Sequence, residues 1–323
     1  MIYFAPYIIK SMNRKVKGYI LGAVAAATYG MNPLFALPLY ADGMNTDSVL
    51  FFRYSLALPV LAMMIIMRGR DFKVNLKETG MLAVMGLLLA LSSLALFLSY
   101  GYMDAGIAST MLFVYPIMVA VLMTLCFKEK LTLQTVVCIV LALSGIGLLY
   151  QSPDGTTLSL AGVSLVFVSA LSYAIYIVGV NRKPLAGMAT LKLTFYVLLF
   201  GLSIYIVRLA MAGGIDLPTK WYLWFNVFAL AIFPTCISFL CTTCAVQYIG
   251  ATPTAILGAL EPVTAIFFGV TVFGEILTMR EAFGVVLIIM AVSFVVAGGR
   301  ITSVFVRIRK MFPRIRMRHF RRG

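Results

Sequence analysis

The sequence predicts an all-α polytopic membrane protein, with ten transmembrane helices arranged as two inverted five-helix repeats. Three observations predict it: an apolar composition, a bias of cations between alternate loops, and a gapless self-match between the ends of the two halves. Of 323 residues, 62% are apolar and 11% charged, against about 45–50% and 25% in soluble domains. Mean hydropathy is +1.01. That balance excludes a soluble enzyme, a disordered chain and a secreted disulfide scaffold.

A bilayer crossing needs about 20 apolar residues. Ten such runs lie at 16–39, 47–67, 79–101, 105–127, 132–150, 158–181, 188–211, 221–247, 251–273 and 280–299, joined by short loops. Residues 1–15 read as a cytoplasmic segment, 16–150 as the first repeat, 158–299 as the second and 300–323 as a basic cytoplasmic tail. The apolar part of the first 15 residues is too short for a signal peptide, and no small-residue cleavage site follows it.

Cations orient these spans. Twenty-two of the 26 fall in segments that share one side if the N-terminus is inside, among them Lys10, Arg14, Lys15, Arg68, Arg70, Lys128 and Arg182. Three fall on the other side, Arg208, Lys220 and Arg280, and Arg53 lies within a span. The positive-inside rule then predicts cytoplasmic N- and C-termini and a multi-pass protein of the plasma (cell inner) membrane. The net charge of +15 could suggest nucleic acid, but nine cations, Arg300 to Arg322, crowd the tail, where no acidic residue follows Glu281. A juxtamembrane cluster of this kind is expected to face anionic membrane lipids, not nucleic acid.

The self-match sets the repeat. Residues 102–149 align without a gap on 248–295 at an offset of 146. Tyr102 meets Tyr248, Pro116 meets Pro262, and Phe127-x-Glu129-x-Leu131-Thr132 meets Phe273-x-Glu275-x-Leu277-Thr278. Nearer the start of each half, Gly18 and Tyr29 match Gly162 and Tyr173 at an offset of 144. Five spans per unit is an odd number, so the second copy must insert upside down.

The strings Leu260–Thr278 (LEPVTAIFFGVTVFGEILT) and Val114–Thr132 (VYPIMVAVLMTLCFKEKLT) resemble the EamA repeat of the drug/metabolite transporter superfamily: a proline-containing helix, a loop near G-E-x-L-T, then a last apolar span. The first copy departs from the pattern with Tyr115 where the second has Glu261, and Lys128 where it has Gly274. The resemblance implies a ten-helix transporter of small metabolites with a central cavity lined by both halves.

Ionisable groups inside spans are costly and are functional candidates by default. Glu261 lies about 15 Å into its span at 1.5 Å per residue, and is expected to bind a cationic substrate group or a coupling proton. Arg53 either pairs with a substrate carboxylate or with Glu261, or snorkels to headgroups. Pro116 and Pro262 are symmetry partners and candidate hinges. Tyr29 and Asn32 share a helix face, as do Tyr173 and Tyr176; with Tyr115 they suit either a pocket for amphipathic metabolites or packing in the bundle. Ser92, Ser93, Ser99, Ser238, Thr242 and Gln247 are open to cavity lining or to helix–helix hydrogen bonding. Gly18-x-x-x-Gly22 permits close helix approach.

Cys241-x-x-Cys244 lies in an apolar run without a nearby histidine, and the single histidine, His319, is in the tail. No metal site, cofactor or catalytic centre is therefore expected, and no phosphate-binding loop for ATP is present. The residues lead to a secondary transporter, an exporter of small metabolites such as amino acids or amphipathic drugs, with proton coupling through Glu261, as a monomer or homodimer. A passive facilitator of the same fold is the alternative. A membrane enzyme and a tail-dependent adaptor fit less well.

Overall fold

A computed structural model describes residues 13–102, 108, 111–128, 132–149, 159–180 and 182–273, with separate positions between 279 and 294. The basic tail and the loops carrying Glu129 and Glu275 lie outside the described residues, as does half of the last predicted span. Among the described residues the chain is helical, without a strand.

The helices are α1 (Arg14–Tyr29), α2 (Asn32–Ala41), α3 (Thr46–Met67), α4 (Leu76–Ser99), α5 (Tyr115–Phe127), α6 (Leu133–Leu149), α7 (Leu160–Gly179), α8 (Thr190–Ala212), α9 (Leu223–Ala231), α10 (Ser238–Ile249), α11 (Ala251–Leu257) and α12 (Leu260–Phe273). Helices α9 and α10 are joined by a π-helical turn, Ile232–Ile237. Among the described residues, six stretches are long and apolar enough to cross a bilayer: Arg14–Ala41, Thr46–Met67, Leu76–Ser99, Leu160–Gly179, Thr190–Ala212 and Leu223–Ile249. Tyr115–Phe127 and Thr135–Gly145 are shorter apolar helices.

Asparagines begin three of the helices. Asn13, Asn45 and Asn75 each accept a backbone N–H of the first turn, and Asn75 forms a reciprocal capping box with Glu78 at 2.8 and 2.9 Å. Three of the predicted spans are broken, the fourth at Phe113–Val114 just before α5. The first breaks at Gly30–Met31, where Pro33 opens α2; the ninth breaks at Gly258–Ala259, where Pro262 falls in the first turn of α12. Pro116 likewise stands in the first turn of α5. The symmetry-related prolines therefore do not kink the middle of a helix. They sit where the missing N–H has no helical partner to lose.

The repeats interlock. Helix α1 packs along α10 and α4 along α7, and the repeat offset exchanges these two pairs. Gly18 lies against Ile249 and Tyr248 while Ser238 Oγ donates to the Ala25 carbonyl at 2.9 Å, so α1 and α10 are antiparallel. Met85 against Gly179 and Ser92 against Ser169 make α4 and α7 antiparallel. Gly86 meets Gly201 and Tyr205 donates to Ala90, so α4 and α8 run parallel. Gln247 Nε2 donates to the Met188 carbonyl at 3.1 Å and Cys244 Sγ to Thr190 Oγ1 at 3.3 Å, so α8 and α10 run antiparallel. Carried around the bundle, these relations point α7 opposite to α1, its repeat counterpart. The Gly18 and Gly22 faces are filled within the chain, Gly22 by Leu257.

Helices α3 and α8 are tied at both ends. Asp47 takes Arg208 Nε and Nη2 at 2.6 and 3.1 Å, and Lys192 Nζ reaches Asp71 at 2.8 Å. At the Asp47 end the connection before α9 is stitched to the one before α3: Thr219 donates its N–H and hydroxyl to Asp42, and Asn45 N–H donates to Asp216. These bonds hold the Asp42 carboxyl below its ordinary pKa, and Lys192 does the same to Asp71. At the opposite end the Arg182 guanidinium lies 3.5 Å from the centroid of Phe127, the first residue of the repeated motif.

Candidate functional site

Pro234 shapes the centre of the bundle. It has no N–H for the Leu230 carbonyl four residues earlier. The hydroxyl of Thr235 supplies the missing donor at 2.8 Å, and the backbone widens into the π-turn. Two acceptors are thereby turned toward α3. Arg53 Nε donates to Thr235 Oγ1 at 2.7 Å and Nη2 to the Pro234 carbonyl at 3.2 Å. The guanidinium also lies over the rings of Phe97, Tyr29 and Phe239 at 5.4, 5.7 and 5.7 Å. Arg53 is 0% exposed and so does not snorkel. Burying such a charge costs several kcal/mol. Charge-assisted bonds of about 1.5–3 kcal/mol each and ring faces of about 0.5–2 kcal/mol each offset that cost. Nη1 has no hydrogen-bond partner, and no ion pair joins Arg53 to Glu261 among the described residues.

Four tyrosines from both repeats form one layer. Tyr29 and Tyr173, equivalent under the repeat, stack on each other with centroids 6.2 Å apart and planes 12° apart. Tyr115 meets Tyr173 edge-on at 5.0 Å, and Tyr176 stacks behind Tyr173 at 6.0 Å. Tyr115 donates to the Ala255 carbonyl at 3.0 Å, just before the break that leads to Glu261. Gly258 leaves the space that the Tyr115 hydroxyl fills, and Gly30 brings α1 against the Glu261 carbonyl.

Two narrow hollows flank this layer, and both include Glu261. The first, a cavity of about 20 Å³, is lined by Tyr29, Asn32, Pro33, Tyr100 and Pro262 together with Glu261, and by the apolar Leu96 and Leu112. The second, about 10 Å³, is lined by Gly22, Tyr115, Tyr173, Thr242, Thr254 and Glu261. Along the first span their walls are centred about 7 residues apart, roughly 10 Å at 1.5 Å per residue. Glu261 is half-buried and stands where they meet.

The structure thus brings Tyr29, Asn32, Tyr115, Tyr173 and Glu261 to the hollows, with Pro262 in the wall. Arg53 and Tyr176 stand one shell behind, in contact with Tyr29 and Tyr173. Pro116 lines a separate apolar crevice with Phe113, Ile139 and Ile256. Of the small polar residues, Ser92, Ser93, Ser238 and Gln247 bond between helices, Ser99 bonds within its own, and Thr242 lines a hollow. Thr235, Phe97 and Phe239 were not singled out by sequence; the proline inside an apolar run beside a threonine was the signal available.

Apolar helices long enough to cross a bilayer, packed as two interlocked repeats, define a multi-pass membrane protein. Comparison with known proteins makes the class specific: the profile of the EamA-like transporter family matches residues 16–151 and again 160–297. The chain belongs to that family. An uncharacterized transporter of Archaeoglobus fulgidus is 27% identical over 189 residues, 58% of this chain, which spans 66% of that relative's length. A second from the same organism is 23% identical over 283 residues, 87% of this chain and 99% of the relative. One from Clostridium kluyveri is 21% identical over 291 residues, 85% and 91% of the two chains. A solved crystal structure superposes with a TM-score of 0.74 at 15% identity, covering 86% of this chain and 95% of that one, a likeness of fold.

Proposed function

We propose that this transporter is a secondary exporter of small metabolites such as amino acids or amphipathic drugs, working by alternating access around the tyrosine layer. The observation that carries this reading is Glu261, the one ionisable side chain common to both hollows. A carboxylate there meets cargo or a coupling proton from either side and is neutralised by what it binds. Under the positive-inside orientation, with both termini cytoplasmic in the plasma (cell inner) membrane, the hollow near Tyr100 faces outward and the one near Gly22 faces the cytoplasm. The breaks at Gly30–Met31 and Gly258–Ala259 supply hinges beside Glu261. Because the repeats interlock, the moving bodies mix helices of both: α1, α10 and α12 against α4, α7 and α8.

Reconstituted vesicles test this. Uptake of candidate metabolites is expected to follow an imposed pH gradient in the wild type, and Glu261→Gln is expected to abolish the gradient dependence while leaving downhill exchange. Transport insensitive to the gradient in the wild type would favour the passive facilitator instead.

A further inference from the structure

Asn32 opens α2 at the break of the first span. It is 2% exposed, and neither its amide oxygen nor its amide nitrogen has a hydrogen-bond partner. Buried polar groups are paired almost without exception, so this amide is short of one donor and one acceptor. It lines the first hollow together with Glu261, and the other walls of that hollow are glycine, proline, tyrosine or aliphatic. The two breaks that carry these residues touch: Gly30, two positions before Asn32, packs directly on the Glu261 carbonyl.

The chemistry of the two side chains selects the pairing. A charged carboxylate inside a span costs about 2.5 kcal/mol or more, and no ion pair joins Glu261 to a cation among the described residues. Arg53 is held by Thr235 and Pro234 behind the Tyr29 ring. A neutral Glu261 offers one O–H donor and one carbonyl acceptor, the complement of the Asn32 oxygen and nitrogen. Ionised, it is an acceptor only: it can take Nδ2 but leaves Oδ1 facing a negative charge. We propose that Asn32 is the positioning residue for the proton on Glu261: the neutral side chain turns into the hollow, its O–H donates to Asn32 Oδ1, and Asn32 Nδ2 donates to its carbonyl oxygen. Loading the proton then ties the break of the first span to the break of the ninth, and losing it releases them. The inference rests on Glu261 as the coupling group and adds the residue that senses its charge. The titratable side chains around the carboxyl are Tyr29 of α1, Tyr100 after α4, Tyr115 of α5 and Tyr173 of α7, with Arg53 of α3 behind Tyr29.

The test uses the purified full chain in lipid nanodiscs, without cargo. Infrared difference spectra between acid and alkaline pH isolate the carbonyl stretch of the neutral carboxyl that Glu261→Gln removes. In the wild type this band is expected at the lowered frequency of a carboxyl whose oxygen accepts a hydrogen bond. Asn32→Leu, which keeps the branching of the side chain without its polar atoms, is expected to move the band to the free-carboxyl position. Melting gives a second readout. Glu261→Gln offers a donor and an acceptor at every pH, so it is expected to melt at alkaline pH as the wild type does at acid. That gain is expected to be smaller in the Asn32→Leu background, by about tenfold in the unfolding constant. Asn32→Val makes the same comparisons where Asn32→Leu does not fold. A wild-type band already at the free-carboxyl position, a band that loss of the amide leaves unmoved, or an equal gain in both backgrounds overturns the pairing: water alone then meets the amide, and Glu261 keeps its coupling role. If no band that Glu261→Gln removes appears at any pH at which the wild type is folded, Glu261 carries no proton, and the coupling role falls with the pairing.

Discussion

Thr235→Val tests how Arg53 is held at the centre of the bundle. Valine keeps the shape of threonine while deleting the hydroxyl that accepts Arg53 Nε at 2.7 Å and donates to the Leu230 carbonyl at 2.8 Å. Losing the first bond leaves a charged N–H unpaired in a dry interior, about 1.5–3 kcal/mol, and losing the second adds about 0.5–1.5 kcal/mol. The sum is about 2–4.5 kcal/mol, larger than the roughly 0.6 kcal/mol average for neutral bonds between helices in a bilayer. Arg53→Met gives up the bonds and the desolvation penalty together, so the double-mutant cycle, not the single variant, isolates the interaction. With methionine at 53, Thr235→Val should cost just the Leu230 bond, leaving a coupling energy of about 1.5–3 kcal/mol. Reversible unfolding of the four proteins in mixed micelles by a denaturing detergent gives each value. Coupling below about 0.5 kcal/mol, the scatter of independent sites, would refute the Arg53–Thr235 bond as the anchor.

Two further outcomes follow from other contacts. A Cβ at Gly258 would run into the Tyr115 hydroxyl, so Gly258→Ala is expected to destabilise by about 1–3 kcal/mol and to be partly rescued by Tyr115→Phe. Strictly additive melting shifts would count against that close approach. Asp42 is held below its ordinary pKa by the Thr219 hydroxyl and N–H. A carboxyl whose folded pKa is depressed contributes stability above the unfolded value, about 3.9, and loses it as pH falls through the folded value. Thr219→Val should therefore move the Asp42 titration upward and weaken the stitch between the two connections earlier on acidification. Carbon-detected NMR of labelled aspartate reads the titration directly, and an unmoved midpoint would contradict the contact.

Much of the architecture was legible in the chain because bilayer thickness and the hydrogen-bonding needs of backbone in hydrocarbon act on local sequence. Apolar runs such as 47–67 and 188–211 fall within about 3 residues of α3 and α8. The offset of 146 paired Tyr115 with Glu261 and Pro116 with Pro262, and the cost of an intramembrane carboxylate singled out Glu261 without any coordinate. The prolines were legible as breaks but not as first-turn residues, since a proline looks the same in sequence inside a helix and at its start.

What tertiary structure alone decided is which faces meet. Helices α3 and α8 are apolar around most of their circumference, so no stripe in the sequence points to the core. That Tyr29 stacks on its repeat partner Tyr173, that Arg53 of α3 turns to the π-turn after α9, and that Asn32 and Glu261 wall one hollow are all contacts between residues more than a hundred positions apart, apart from the local fact that Asn32 begins α2. They arise when two interlocked copies pack across an approximate two-fold axis. Each span was written locally by the lipid it must cross, whereas the site was written by the close packing of those spans against one another.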